Sequence, residues 1–131
     1  ANEVGYIYFQ DFIPNNDSDI RIIVIGNKAF GLKRFIREDD FRASGSGNFA
    51  LDKELFDERC VRIAFETNKQ LNLQVGAFDF VFDEQNHPLI VEVSYGFTSQ
   101  VYDLCPGFWD KNLVWHEGKT IKEEWMVDLI K

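Results

Sequence analysis

The chain has 131 residues, 45% of them hydrophobic and 15% aromatic, with 13 Phe. That is enough apolar material for one domain with its own core, and it excludes a disordered segment. Lys and Arg number 14 against 22 Asp and Glu, a net charge of −8, which argues against non-specific nucleic-acid binding but leaves room for a local basic cluster around a phosphate.

In chain order, residues 6–13 (YIYFQDFI) read as an aromatic-rich strand, ended by the turn chemistry of Pro14-Asn15-Asn16-Asp17-Ser18. Residues 19–25 (DIRIIVI) alternate as a second strand. Gly26-Asn27 makes a two-residue hairpin turn, because glycine accepts positive φ, and residues 28–35 (KAFGLKRF) return antiparallel. With Ile25 opposite Lys28, the residues Asp19, Arg21, Ile23 and Ile25 share a face with Lys28, Phe30, Leu32 and Arg34. Residues 37–50 are polar and glycine-rich and read as a loop. A helix is expected over 52–71, with Asp52 as N-cap and Phe56, Cys60, Ile63, Ala64, Thr67 and Leu71 as its apolar stripe.

Residues 77–94 then read as a hairpin closed by Glu84-Gln85-Asn86-His87. Residues 96–118 are irregular and aromatic, and Thr120 with Glu123 forms a capping box that opens a last helix to Lys131, with Ile121, Trp125, Leu129 and Met126 inward. The order β-ββ-α-ββ-α is α+β, a mostly antiparallel sheet with helices packed on one face. Residues 1–131 form a single domain in this reading, and 95–131 are its aromatic loop and C-terminal helix.

The hairpin at 77–94 carries the chemistry. Side chains alternate along a strand, so if Asp79 faces Glu92, one face holds Phe78, Phe80 and Phe82 against Leu89, Val91 and Val93. The other face holds Ala77, Asp79, Val81 and Asp83 against Ser94, Glu92, Ile90 and Pro88. Like charges directly opposite each other destabilise a sheet, and a hard cation held by oxygen ligands removes that cost. A solvated acidic face, or a slip of one residue that separates the pair, accounts for the same pattern.

A second cluster is basic. Arg21 and Arg34 share a hairpin face with Asp19 near enough to orient one of them, and Lys33 and Arg42 lie close in sequence. An arginine fork matches phosphate geometry; a surface ion-pair ladder is the plainer alternative. The stretch Phe41-Arg42-Ala43-Ser44-Gly45-Ser46-Gly47 reads as an anion nest or as a connector. His87 and His116 are not at metal-ligand spacing and are expected on the surface. Two cysteines, Cys60 and Cys105, cannot by themselves supply a Cys-rich scaffold or a zinc site. A reduced, cytoplasmic chain is expected, with one disulfide as the other option and Cys105 exposed beside Pro106-Gly107. No signal peptide and no membrane-length apolar run is present in the sequence.

Gln10-Asp11-Phe12-Ile13, Asp19-Ile20-Arg21, Leu32-Lys33-Arg34, Phe41-Arg42, the central helix, Gly76-Ala77-Phe78-Asp79 and Ile90-Val91-Glu92-Val93-Ser94 follow one another in a pattern that resembles the C-terminal half of an ATP-grasp domain. The likeness runs over residues 6–99. It is strongest to the branch of glutamate ligases acting on ribosomal protein tails and extends to stand-alone relatives of the carbamoyl-phosphate synthase large chain. The resemblance implies that Gln10, Asp11, Phe12 and Ile13 form the hinge strand whose backbone meets the adenine. It assigns Arg21 to the transferring phosphate as a catalytic residue, and Lys33 and Arg34 to the phosphates or substrate. Asp79 and Glu92 become ligands of a Mg²⁺ that bridges ATP phosphates. Val81 and Ile90 become an apolar floor under the base.

Ser94 stands where the family frequently has Asn, and offers a shorter oxygen donor. Tyr95-Gly96-Phe97 departs from the small-residue and proline pattern usual there. The implied activity is an ATP-dependent carboxylate–amine ligase, or a related carboxylate–nucleophile ligase, working through an acylphosphate on small substrates. Family members precede this half with a subdomain that supplies a lysine and a glycine-rich loop. The expectation is therefore a portion of a longer polypeptide, nearly inactive alone, with Val81, Ile90 and the hinge aromatics bare and favouring a homodimer. The rival reading is a non-catalytic interaction module with a degenerate site, docking through the aromatic loop.

Overall fold

The computed structural model describes residues 18–35, 49–95, 102–119 and 122–129. The expected first strand at 6–13 and residues 37–48 of the expected loop 37–50 lie outside them, while the last two residues of that loop, Phe49 and Ala50, are a short strand. The described strands are β1 (Ser18–Ile25), β2 (Lys28–Phe35), β3 (Phe49–Ala50), β4 (Val75–Phe82), β5 (Pro88–Ser94), β6 (Gly107–Asp110) and β7 (Trp115–Glu117). They form one sheet in the order β5-β4-β1-β2-β6-β7, with β3 also beside β2. Every pairing among them is antiparallel. The outer edge of β2 is divided, with Lys28 and Ala29 against β6 and Lys33 and Arg34 against β3. Two helices complete the α+β fold, α1 (Glu58–Gln70) and α2 (Lys122–Leu129).

The β1–β2 hairpin has the register its turn dictates, Ile25 opposite Lys28, with Gly26 at φ 62°. Alternation then sorts the apolar residues onto two faces. Ile20, Ile22, Val24, Ala29, Phe78 and Phe80 pack against Phe56 and against Cys60, Val61 and Ala64 of α1. Ile23, Ile25, Phe30, Leu32 and Ala77 form a second cluster with Cys105 and Trp125, joined by Met126 and Leu129.

The helices therefore lie on opposite faces of the sheet, not on one. The reason is in β1 itself: Ile23 and Ile25 leave an apolar half on the second face, and burying a side chain of that size stabilises by about 1.5–3 kcal/mol. Trp125 supplies the cover. Its ring meets Phe108 at 5.0 Å and Phe30 at 5.9 Å, with Lys122 Nζ 4.9 Å above it.

The central helix starts later than its sequence pattern suggests. Lys53–Leu55 make a 3-10 turn, Phe56 turns inward with extended backbone, and Asp57 rather than Asp52 caps α1 by accepting from the Arg59 N–H at 2.8 Å. The buried stripe is Cys60, Val61, Ala64 and Asn68, while Leu71 is 47% exposed. Asn72, at φ 58°, ends the helix. The bonds from Leu73 N–H to Asn68 O and from Asn72 N–H to Lys69 O are those of a Schellman cap.

Residues 107–117, expected to be irregular, extend the sheet as the β6–β7 hairpin. Asp110 Oδ1 closes its turn by accepting from the N–H groups of Asn112 and Val114, and Leu113 takes φ 65°. Trp109 is 2% exposed and packs on Phe56 and Trp115. On α2, Thr120 and Ile121 lie outside the described residues; the described cap is Asp103, whose Oδ1 accepts from the Lys122 N–H at 2.9 Å. Among the described residues no helix is long and apolar enough to cross a membrane.

Candidate functional site

Register assembles the candidate site. Arg21 of β1 lies opposite Asp79 of β4, and Asp79 lies opposite Glu92 of β5. On the other side, Leu32 of β2 lies opposite Arg21. Four adjacent strands thus place Leu32, Arg21, Asp79 and Glu92 in one row across the sheet. Alternation puts the row on the face away from α1, next to the apolar half that α2 covers. The row behind it holds Phe30, Ile23, Ala77 and Ser94. On the other flank Asp19 lies opposite Arg34.

Arg21 grips Asp79 at two points. Its Nε donates to Oδ1 at 2.7 Å and its Nη2 to Oδ2 at 3.1 Å. The Asp79 side chain is 5% exposed and that of Arg21 23%. Charge-assisted two-point contacts of this kind are among the stronger polar interactions. Breaking this one by removing a partner is worth about 1–3 kcal/mol, the solvent on Arg21 holding it below the cost in a fully buried pair. Asp79 therefore has a cation on one flank and, across β5, the like charge of exposed Glu92 on the other. Asp79 orients the Arg21 guanidinium from the neighbouring strand, 58 residues away in sequence.

Below this row the hairpin departs from the expected register. Asp79 faces Glu92 but Phe80 faces Ile90, so Val91 is an extra residue, a β-bulge in β5. Phe82 rather than Asp83 then faces Pro88, and the connection lengthens to Asp83–His87, with Asn86 at φ 66°. Asp83 Oδ1 accepts from the N–H groups of Gln85 and His87 to hold that turn.

The bulge reverses Ile90. It enters the α1-side core with Phe78 and Phe80, while Val81 packs with Val91 and Leu89 in a cluster of their own. The face expected to be shared by Val81 and Ile90 is therefore not formed: Val81 has Val91 and Leu89 beside it instead. Val81 and Ile90 are each 9% exposed, so these two side chains are not bare; the hinge aromatics expected to join them lie outside the described residues.

Of the other expected residues, Ser94 lies opposite Ala77 and is half-buried. Lys33 lies opposite Ile20 and Ala50, which by alternation is the face of α1 and not that of the row. Gln10, Asp11, Phe12, Ile13 and the loop Phe41–Gly47 lie outside the described residues. His87 and His116 are exposed and sit beside Asp83 and Asp110, at 3.4 and 2.8 Å. The His116 ring, followed by the Val114 N–H, holds the Asp110 carboxyl below the usual range. Among the described residues no group of three or more His, Cys, Asp or Glu comes together.

Residues 3–102 match the RimK-like ATP-grasp domain. The chain belongs to the RimK-like ATP-grasp family. No curated protein matches it. ATP-grasp domains bind ATP and serve ATP-dependent, ligase-like chemistry, and that coarse function is the one the match supports. The matched stretch of this ATP-grasp chain contains β1–β5 and α1, and so the whole row; β6, β7 and α2 lie beyond it.

Neither cysteine belongs to the ATP-grasp site. Both are free and buried, Cys60 in the α1-side core and Cys105 in the core on the opposite face, which rules out a bridge between them. Burial pushes the Cys60 thiol up to about 12 and the Cys105 thiol up to about 11, so Cys105 is not the exposed thiol its loop suggested. Burial also pushes the Lys122 ammonium down, opposed by Cys105 and Asp103.

Proposed function

We propose that this chain carries the ATP- and Mg²⁺-binding portion of a ligase that joins a small carboxylate to an amine, or to a related nucleophile, through an acylphosphate. The observation that carries the reading is the row Arg21–Asp79–Glu92 on three adjacent strands, within a chain of the RimK-like ATP-grasp family. The donors fit the metal. Two opposed carboxylates, with the Ser94 hydroxyl one row behind, are hard oxygen ligands, and Mg²⁺ is usually held by one or two carboxylates with water and phosphate completing its shell. When bound, the ion neutralises triphosphate charge and polarises the phosphoryl group.

An oxygen of the substrate carboxylate attacks the γ-phosphorus of ATP, the bond to the β–γ bridging oxygen breaks, and ADP leaves. The amine nitrogen then attacks the acyl carbon, the carbon–oxygen bond to phosphate breaks, and the nitrogen gives up a proton. Arg21 stabilises charge on the moving phosphoryl group, a task of positioning and electrostatics. Gln10 to Ile13 meet the adenine, and Val81 with Val91 and Leu89 floors the base. Arg34, opposite Asp19 in register, serves the phosphates or the acid, and Lys33 serves them from the face of α1. Two unbridged thiols accord with a reducing, cytoplasmic setting.

The test is calorimetry of ATP on the full-length polypeptide, with and without Mg²⁺, alongside turnover. Mg²⁺-dependent binding is expected in the wild type. Asp79→Asn and Glu92→Gln should abolish turnover with the circular dichroism of the fold unchanged. Wild-type turnover in Asp79→Asn overturns the assignment. Absence of any Mg²⁺-dependent nucleotide affinity favours the non-catalytic module instead.

A further inference from the structure

Resting on that reading, the geometry points to Arg21 as an internal latch on the metal site: its guanidinium holds Asp79 until a triphosphate gives it another partner, so that metal and nucleotide bind as a coupled pair. Arg21 Nε and Nη2 reach both carboxylate oxygens of Asp79, at 2.7 and 3.1 Å. The Asp79 side chain is 5% exposed, so a cation has little of that carboxylate to approach that is not already faced by the guanidinium. A divalent ion seeking an oxygen at about 2.1 Å must displace at least one of these contacts and then sit against a positive charge.

Glu92 does not relieve the conflict. It lies across β5 from Asp79, one strand further from Arg21, and as an exposed carboxylate it binds a divalent ion weakly by itself. A triphosphate changes the balance by two routes. Its oxygens match the arginine fork as well as a carboxylate does, and they bring ligands of their own to the metal. Arg21 released from Asp79 is then beside the phosphates it serves. The latch thus keeps a buried carboxylate neutralised in the empty protein and ties metal affinity to nucleotide. Such a coupling is reciprocal: whatever factor ATP adds to metal affinity, the metal adds to ATP affinity.

The experiment titrates the full-length protein with Mn²⁺, followed by electron paramagnetic resonance, with and without a non-hydrolysable ATP analogue. The wild type should bind Mn²⁺ at least tenfold more tightly with the analogue present. Arg21→Met should bind Mn²⁺ alone about tenfold more tightly than the wild type, and most of the coupling should vanish. Lys28→Met, which removes a charge from the neighbouring strand at the hairpin end, opposite Ile25 and away from the row, is the control, and an equal gain there reduces the effect to net charge and overturns the latch. A second readout needs no variant: the ¹⁵N-resolved Arg21 Nε–H resonance should move with Mg²⁺ and the analogue together and stay in place with Mg²⁺ alone. Movement with Mg²⁺ alone overturns the latch as well. If Asp79→Asn abolishes metal–nucleotide binding while Arg21→Met leaves free Mn²⁺ affinity unchanged, the site stands and the latch falls. If no protein binds Mn²⁺ with or without the analogue, the proposed function itself fails and the latch with it.

Discussion

Glu92→Gln should make the empty protein more stable while destroying its metal-dependent nucleotide binding. Neighbouring strands are about 4.8 Å apart, so the Glu92 and Asp79 charges stand about 5 Å from each other and Glu92 stands about 10 Å from Arg21, two strands away. In a fully aqueous dielectric the first term repels by about 0.8 kcal/mol and the second attracts by about 0.4 kcal/mol; halving the dielectric constant doubles both. The net repulsion is about 0.4–0.8 kcal/mol, because Glu92 stands nearer to Asp79 than to Arg21. Replacing Glu92 by its neutral isostere removes it without leaving a cavity. Urea unfolding in about 0.01 M salt should show the gain, and in about 1 M salt, where the Debye length falls from about 30 to about 3 Å, the gain should nearly disappear. The same variant should lose the upward shift in Tm that Mg²⁺ and ATP give the wild type. A Glu92→Gln protein less stable than wild type in low salt would refute the reasoning: Glu92 would then be held by contacts that outweigh its repulsion, and the fold would not be under tension at this pair.

Gly76→Ala should be costly, since an added Cβ would stand 2.4 Å from Asn68 Oδ1 and 2.9 Å from the Phe78 ring, while Asn68 is pinned through Nδ2 to the Leu73 carbonyl at 3.0 Å. Overpacking plus a lost buried hydrogen bond comes to about 2–4 kcal/mol, read as a lower urea midpoint at unchanged slope; a loss under about 1 kcal/mol, the low end of overpacking costs, would mean that α1 retreats freely. Stability should also fall in alkali. The folded thiols of Cys60 and Cys105 titrate near 12 and 11 against 9.0, so their contribution is complete below pH 9.0 and is lost as pH rises through the folded values, by up to about 1.4 kcal/mol per thiol per pH unit. The depressed Lys122 ammonium acts with the opposite sign, since the folded state releases that proton first, but it is one group against two. Cys60→Ala should lower stability at neutral pH and flatten the alkaline slope; an unchanged slope would place the alkaline transition elsewhere.

The parts of this site that could be read in the sequence are those fixed by local chain geometry. A two-residue turn at Gly26-Asn27 leaves β1 and β2 one register, and the alternation of Asp19, Arg21, Ile23 and Ile25 then decides which residues share a face. Asp79 against Glu92 was one alignment open to its hairpin, and it is the one the structure adopts at the row, with Phe78 against Val93. What lay beyond reach was set by contacts distant in sequence. Arg21 and Asp79 are 58 residues apart, and nothing in either segment says that β1 and β4 are neighbours.

The bulge at Val91 is of another kind. It changes no residue at the row, yet below it every side chain of β5 changes face, and no local pattern marks it because Leu89, Ile90 and Val91 are all aliphatic and suit either side. Its energetic reason appears only in the assembled core, where Ile90 fills space between Phe78, Phe80 and α1. Charge leaves no such freedom: a slip that turned Glu92 toward α1 would bury an unpaired carboxylate among phenylalanines, a cost of several kcal/mol. The acidic register is therefore held more tightly than the apolar one beside it. That is why the faces of the two carboxylates could be aligned from sequence while those of the aliphatic residues next along β5 could not.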